Sequence, residues 1–245
     1  VIAAPFALFV VPWPEPHMWP IFAGAFVIHA VYKVLQAMTY ARGAFTVVYP
    51  VVRGTGPFFT VIGAGIVFGE VFAPGQWAGL ALLVGGILGL AVWNLNHVTM
   101  DRATMVPALG LAALTGALVA VYTTYDAYGI RATADPFTFL AWFFMLDGIF
   151  IPAVTQARWR RLPAAEITSL LKRGVLGAFV AYFSFGSIML ATRLDRVGEA
   201  AVLRETSTVF AALIGWLVLG EKVGPVRAGL MALIAIGAVI MEWAG

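Results

Sequence analysis

Arg53 lies in the middle of the apolar run 45–69, flanked by Pro50 and Pro57, with Gly54 and Gly56 beside it. A charge at the centre of a membrane helix costs about 2.5–3.5 kcal/mol on translocon scales, so an ionisable group there is a functional candidate. Each proline removes a backbone donor and clashes with the preceding turn, which predicts a kink or break. Irregular backbone at membrane depth is tolerated where it lines a cavity or packs within protein. Arg53 and the nearby Thr55 are therefore candidates for the wall of a solute site. The alternative is a structural kink whose arginine pairs with a carboxylate to hold helices together.

The run 198–219 contains no proline and carries Arg204, Glu205, Thr206, Ser207 and Thr208, with no glycine among or beside them. Adjacent residues diverge by about 100° on a helix, so Arg204 and Glu205 are each expected to need another partner. Asp126, deep in the run 106–130, is the expected partner of one arginine. Arg53 and Arg204 set against Asp126 and Glu205 make a neutral group, which fits a zwitterionic or neutral solute; a permanent ion-pair network is the competing reading. Asp126 shares a helical face with Tyr122 and Thr115, and His29, Tyr32, Lys33 and Gln36 form a similar stripe over 19–39. Such stripes can hydrogen-bond a solute, or join helices through polar contacts worth under about 1 kcal/mol each. For His29 alone the expectation is a helix–helix contact. Asp147 is an isolated charge with no assigned partner. Glu70 and Glu221 close their runs beside Gly69 and Gly220, where helix-end or gate contacts are expected. Glu242 and Trp243 read as interfacial anchors. Gly65-x-x-x-Gly69, Gly75-x-x-x-Gly79 and Gly85-x-x-x-Gly89 would let helices approach closely.

The elements that position these groups follow from composition. Of 245 residues, 62% are hydrophobic and 11% charged, against roughly 25% charged in soluble domains. With a mean hydropathy of +0.93, a soluble globular fold is excluded, as are disorder, collagen and coiled coil. Helical spans of about 20 residues cross a bilayer core, and they are predicted near 19–39, 45–69, 76–96, 106–130, 136–156, 172–192, 198–219 and 225–243. Turn chemistry at Ala73-Pro74-Gly75, Asp135-Pro136 and Gly224-Pro225 separates them. Ala157–Leu171 is the longest predicted loop. The run Val1–Val11 is too short to span and lacks the features of a signal peptide; it is expected to be a truncated helix with a segment missing before residue 1. Cysteine is absent, which excludes disulfides and thiolate metal sites.

A shift of 151 residues superposes Arg42 on Arg193, Arg53 on Arg204, Phe59 on Phe210 and Gly69-Glu70 on Gly220-Glu221. A shift of 150 then carries Ala78-Gly79 onto Ala228-Gly229 and Trp93 onto Trp243. The expected organisation is two five-helix repeats, over 1–97 and 104–245, the first short of its opening helix and part of the next. An odd number of spans per copy inserts the second copy upside down. Secondary transporters built this way bind solute near midplane, between the repeats.

Tyr49-Pro50-Val51-Val52-Arg53-Gly54-Thr55-Gly56-Pro57 with Phe68-Gly69-Glu70 resembles the EamA-type transporters of the drug/metabolite transporter superfamily. So do Leu203-Arg204-Glu205-Thr206-Ser207 with Leu219-Gly220-Glu221-Lys222, and Tyr122-Thr123-Thr124-Tyr125-Asp126 with Gly129 and Arg131. The resemblance implies ten helices in two inverted repeats and export or exchange of a small metabolite by an integral, multi-pass protein of the bacterial inner membrane. Alternating access is expected, with proton coupling through Asp126 or Glu205 as one mode. The competing functions are a lipid-carrier flippase and a non-transporting membrane subunit. Gly-x-Ser-x-Gly and His-Glu-x-x-His are absent, His17, His29 and His97 are scattered, and His97-x-x-x-Asp101 is a weak pattern, so an enzyme is not expected. No cofactor or metal is expected. The partners are a small-molecule solute and the lipid bilayer, with a homodimer admitted and nucleic acid not, because the net charge of +3 sits in short loops. Arg42, Arg102, Arg158, Arg160, Arg161, Lys172, Arg173, Lys222 and Arg227 fall on one side, against Arg131, Arg193 and Arg196. The positive-inside rule places the richer side in the cytoplasm and the C-terminus outside.

Overall fold

The computed structural model describes residues 3–97, 102–218 and 224–245, and the predicted features at Asp101 and Leu219–Val223, Glu221 included, lie outside them. Among the described residues every regular element is a helix: α1 (Ala4–Phe9), α2 (Met18–Arg42), α3 (Phe45–Phe68), α4 (Pro74–Leu95), α5 (Arg102–Ala132), α6 (Pro136–Asp147), α7 (Phe150–Trp159), α8 (Ala164–Leu194), α9 (Val197–Arg204), α10 (Ser207–Leu217) and α11 (Pro225–Trp243). Among the described residues seven stretches are long and apolar enough to cross a membrane: α2, α3, α4, α5, α6 with α7, α8 and α11. Lipid offers no hydrogen-bond partner, so such runs must satisfy their backbone internally and coil into helices. The protein is an all-α, polytopic membrane protein. Proline opens α4, α6 and α11, where its missing N–H costs nothing. Gly69, at φ +68°, closes α3 in the left-handed conformation, which glycine adopts without a Cβ clash.

The chain divides into two compact units, Val1–Val31 with Tyr125–Leu194 and Tyr32–Thr124 with Asp195–Gly245. The first is centred on Met18, Ile21, Phe22 and Ala25 of α2, Ile130 of α5, Phe139–Phe143 of α6 and Met189 of α8. Phe22 and Phe139 stack at 5.3 Å, and the buried Trp142 donates its indole N–H to the Pro12 carbonyl at 3.3 Å. Arg193 donates to the carbonyls of Ile130, Thr133 and Ala134 around the end of α5, neutralising the negative pole of that helix.

In the second unit α3 packs on α4 and α9, and α4 packs on α11. A Cβ at Gly79 would lie 2.7 Å from the Gly237 carbonyl, and one at Gly86 would lie 2.8 Å from the Ile234 side chain. The residue order along this seam makes α4 and α11 antiparallel. Arg53 meets Glu205 while Glu70 meets Val197, so α3 and the α9–α10 segment are antiparallel as well. These are the helices matched by the 151- and 150-residue shifts, in the direction an inverted copy would take.

Several expected elements differ. α3 runs unbroken through Pro50 and Pro57. Pro50 has no N–H for the Thr46 carbonyl, and Asn94 of α4 supplies the donor instead, at 2.7 Å. The proline-free run 198–219 is the one that breaks, at Glu205-Thr206. There the Thr206 hydroxyl bonds the Leu203 carbonyl at 2.7 Å, a local bond that competes with the helical ladder. The run 136–156 is interrupted at Gly148-Ile149. The predicted loop Ala157–Leu171 shrinks to 160–163, with Arg158 in α7 and Lys172 and Arg173 in α8. Of the glycine pairs, Gly79 meets α11 backbone, whereas a Cβ at Gly85 would meet nothing within 4 Å, and Gly69 serves as a helix cap.

Candidate functional site

Glu205 is fully buried, and two arginines close on it. Arg53 Nε lies 3.1 Å from Glu205 Oε2, and Arg204 Nε lies 3.2 Å from Oε1. The sequence reading kept Arg204 and Glu205 apart because it assumed one continuous helix. Glu205 instead caps the C-terminus of α9, and the turn there brings neighbouring side chains together. Arg53 also donates to the Ser207 hydroxyl at 2.5 Å and sits over the Tyr49 ring, 5.7 Å from its centroid. Neither Arg53 Nε nor Glu205 Oε2 achieves hydrogen-bond geometry, so their contact is ionic only.

This cluster borders a cavity of about 110 Å³ within the second unit. Its walls are Tyr32, Gln36 and Tyr40 of α2, Tyr49, Val52 and Arg53 of α3, Val119 and Tyr122 of α5, and Arg204 and Glu205. Gln36 donates to the Tyr32 hydroxyl at 2.6 Å, and the Tyr32 and Tyr122 rings meet edge to face at 4.9 Å. The cavity thus gathers Tyr32, Gln36, Arg53, Tyr122, Arg204 and Glu205 from the sequence candidates. Tyr40 and Tyr49 were missed, although each lies one helical turn from a named candidate, Gln36 and Arg53, on the same face.

Other candidates lie elsewhere. Thr55 bonds the Val51 carbonyl at 2.7 Å and fills the space at Gly116. Thr206 turns back on Leu203, and Ser207 reaches the cluster only through Arg53. Among the described residues Asp126 meets no arginine: its Oδ2 lies 2.9 Å from His29 Nε2, in the first unit. His29 Nδ1 is 3.8 Å from Asp147 Oδ1, so the isolated Asp147 has a neighbour after all. Phe143 and Phe185 wall this triad, with centroids 5.1 and 6.1 Å from the imidazole, and Asp126 Oδ1 has no hydrogen-bond partner among the described residues. Because Asp126 is not in the cavity, the neutral charge count fails there: two guanidinium groups face one carboxylate. Thr115 bonds Thr39 at 2.8 Å.

Glu70 caps α9, accepting from the N–H groups of Val197 at 2.7 Å and Gly198 at 3.1 Å. Beside it Glu199 accepts from Gln76 at 2.6 Å and pairs with Arg196 at 3.1 Å. This buried cluster was missed, although a glutamate within an apolar run was its signal. Among the described residues no group of three or more acidic or histidine side chains is arranged to hold a metal ion.

The model of the EamA-like transporter family matches residues 106–243, more than half of the chain. The chain belongs to the EamA-like transporter family. No curated protein matches it. As an EamA-like protein it is an integral, multi-pass membrane transporter of the drug/metabolite type. The matched segment contains Tyr122, Asp126, Arg204 and Glu205, whereas Arg53 and its prolines come from outside it.

Proposed function

We propose that this EamA-like protein is a secondary transporter that exports or exchanges a small metabolite by alternating access, with the tyrosine-walled cavity as its solute site. The observation that carries the reading is the Arg53–Glu205–Arg204 cluster. Arg53 and Arg204 are superposed by the 151-residue shift, lie on antiparallel helices, and converge on one buried carboxylate. Inverted-repeat transporters place their sites where the repeats meet and where a helix is interrupted, as α9–α10 is here. A cavity of about 110 Å³ is well below the roughly 300–1,000 Å³ of pockets that bury drug-sized ligands, which supports a small solute. Glu205 in the cavity, or Asp126 against His29, is the carboxyl that would carry a coupling proton.

The test is counterflow in liposomes with labelled small metabolites. Saturable exchange is expected from the parent chain and is lost in Arg53→Ala and Arg204→Ala while both remain folded. Asp126→Asn separates the two carboxyls: retained counterflow with a lost response to a pH gradient assigns the coupling proton to Asp126. Exchange that survives both arginine substitutions moves the solute site elsewhere, and absence of exchange for every solute overturns the transporter reading.

A further inference from the structure

We infer that the cavity takes a small monocarboxylate, an inference that rests on the transport reading above. The charged side chains lining it are Arg53, Arg204 and Glu205, so it carries one net positive charge. Access sharpens the point. The Glu205 side chain is 0% exposed, covered by its two arginines, while that of Arg53 is 24% exposed. A solute entering the cavity therefore meets the Arg53 guanidinium and the tyrosine side chains before it reaches the carboxylate. An ammonium group, free or part of a zwitterion, finds the one lining carboxylate already engaged by two guanidinium groups. A carboxylate finds the partly exposed Arg53 guanidinium, whose planar fork suits a two-oxygen acceptor.

The excess charge also needs an anion. One negative group balances the cluster. A phosphate monoester brings a charge of about −1.5 to −2 at neutral pH and over-compensates, so a monocarboxylate fits better. Tyr32, Tyr40, Tyr49 and Tyr122 line the space left for the rest of the molecule.

Binding to the full chain in detergent is measured by calorimetry with lactate, 4-hydroxybenzoate and 4-hydroxyphenylacetate. Each is compared with its amide, its amine analogue and a phosphate ester of similar size, and tyrosine represents zwitterions. At least one acid is expected to bind tenfold or more tighter than its amide, amine and phosphate counterparts. Arg53→Gln removes that preference and Arg53→Lys restores part of it. Glu205→Gln, which adds a net positive charge, tightens binding of the phosphate ester. Should Glu205→Gln fail to fold, the Arg53 pair still decides. Amides, amines or tyrosine binding as tightly as the acids overturns the inference, as does an acid preference that survives Arg53→Gln or a failure of every acid to bind. Counterflow with the same solutes separates the two readings. Acids that bind without being transported keep the anion site and overturn the transporter, whereas transport confined to amines or amides keeps the transporter and overturns the anion site.

Discussion

Asp135 shows how one side chain sets the start of an element. Its carboxylate accepts from the Phe137 N–H at 3.1 Å, the Thr138 N–H at 2.9 Å and the Thr138 hydroxyl at 2.7 Å, capping α6. Burial alone would push this carboxyl up, but the three hydrogen bonds and the Arg193 charge outweigh it and hold the pKa below the ordinary aspartate value. A folded pKa lowered in this way contributes stability that is complete above the unfolded value, about 3.9, and is lost as pH falls through the folded one. Asp135→Ala is expected to lower stability by about 1 kcal/mol at pH 7, with the gap to the parent chain closing below about pH 4. Thermal unfolding in detergent across pH reads both effects, and a gap that persists in acid would assign the loss to something other than the carboxylate. The sequence shows a turn at Asp135-Pro136 because capping is local. It does not show that Asp126 meets His29, because the partner of a buried charge depends on which helices pack together.

Among the elements, α3 and the α9–α10 segment reverse the sequence expectation. Proline in a helix frees one carbonyl, and whether the helix breaks depends on whether a neighbour satisfies it. Asn94 does so for Thr46, and its own carbonyl accepts from Arg227 of α11 at 3.2 Å. Asn94→Leu is expected to destabilise by about 1–3 kcal/mol through the orphaned acceptor. In a Pro50→Ala background, where residue 50 regains its N–H, the same substitution is expected to cost measurably less. Equal costs in the two backgrounds, read by chemical unfolding in detergent, would remove Asn94 from that role. The α4–α11 seam gives a second contrast. Gly79→Ala drives a methyl into the α11 backbone, 2.6 Å from the Met241 nitrogen, and is expected to cost about 1–3 kcal/mol. Gly85→Ala, which meets nothing within 4 Å, is expected to be neutral or stabilising by up to about 1 kcal/mol. Both glycines belong to the same small-residue spacing, so spacing alone does not separate a packed position from an open one.

For the molecule as a whole, hydropathy is the most legible property, because each run of about 20 apolar residues must hide its own backbone. Seven such runs stand in the structure close to where they are predicted. Sidedness is a matter of charge placement, and the absence of cysteine makes it directly testable. A single thiol at the exposed Arg160 is expected to react from the cytoplasmic face, and one at the exposed Ala134 from the opposite face, as the positive-inside rule requires. Reaction with the faces exchanged would invert the orientation. The cavity is legible as a set of polar residues but not as a charge balance, because its sum depends on Asp126 lying outside it. The α4–α11 seam also has a consequence in time. Gly79 and Gly237 are separated by more than 150 residues of chain, which at about 5–20 residues per second take the ribosome roughly 8–30 s to synthesise. Throughout that interval α4 stands in the membrane with its closest-fitting neighbour unmade. A nascent chain released before α11 is therefore expected to be recognised by membrane quality control and degraded, however well its earlier helices have inserted.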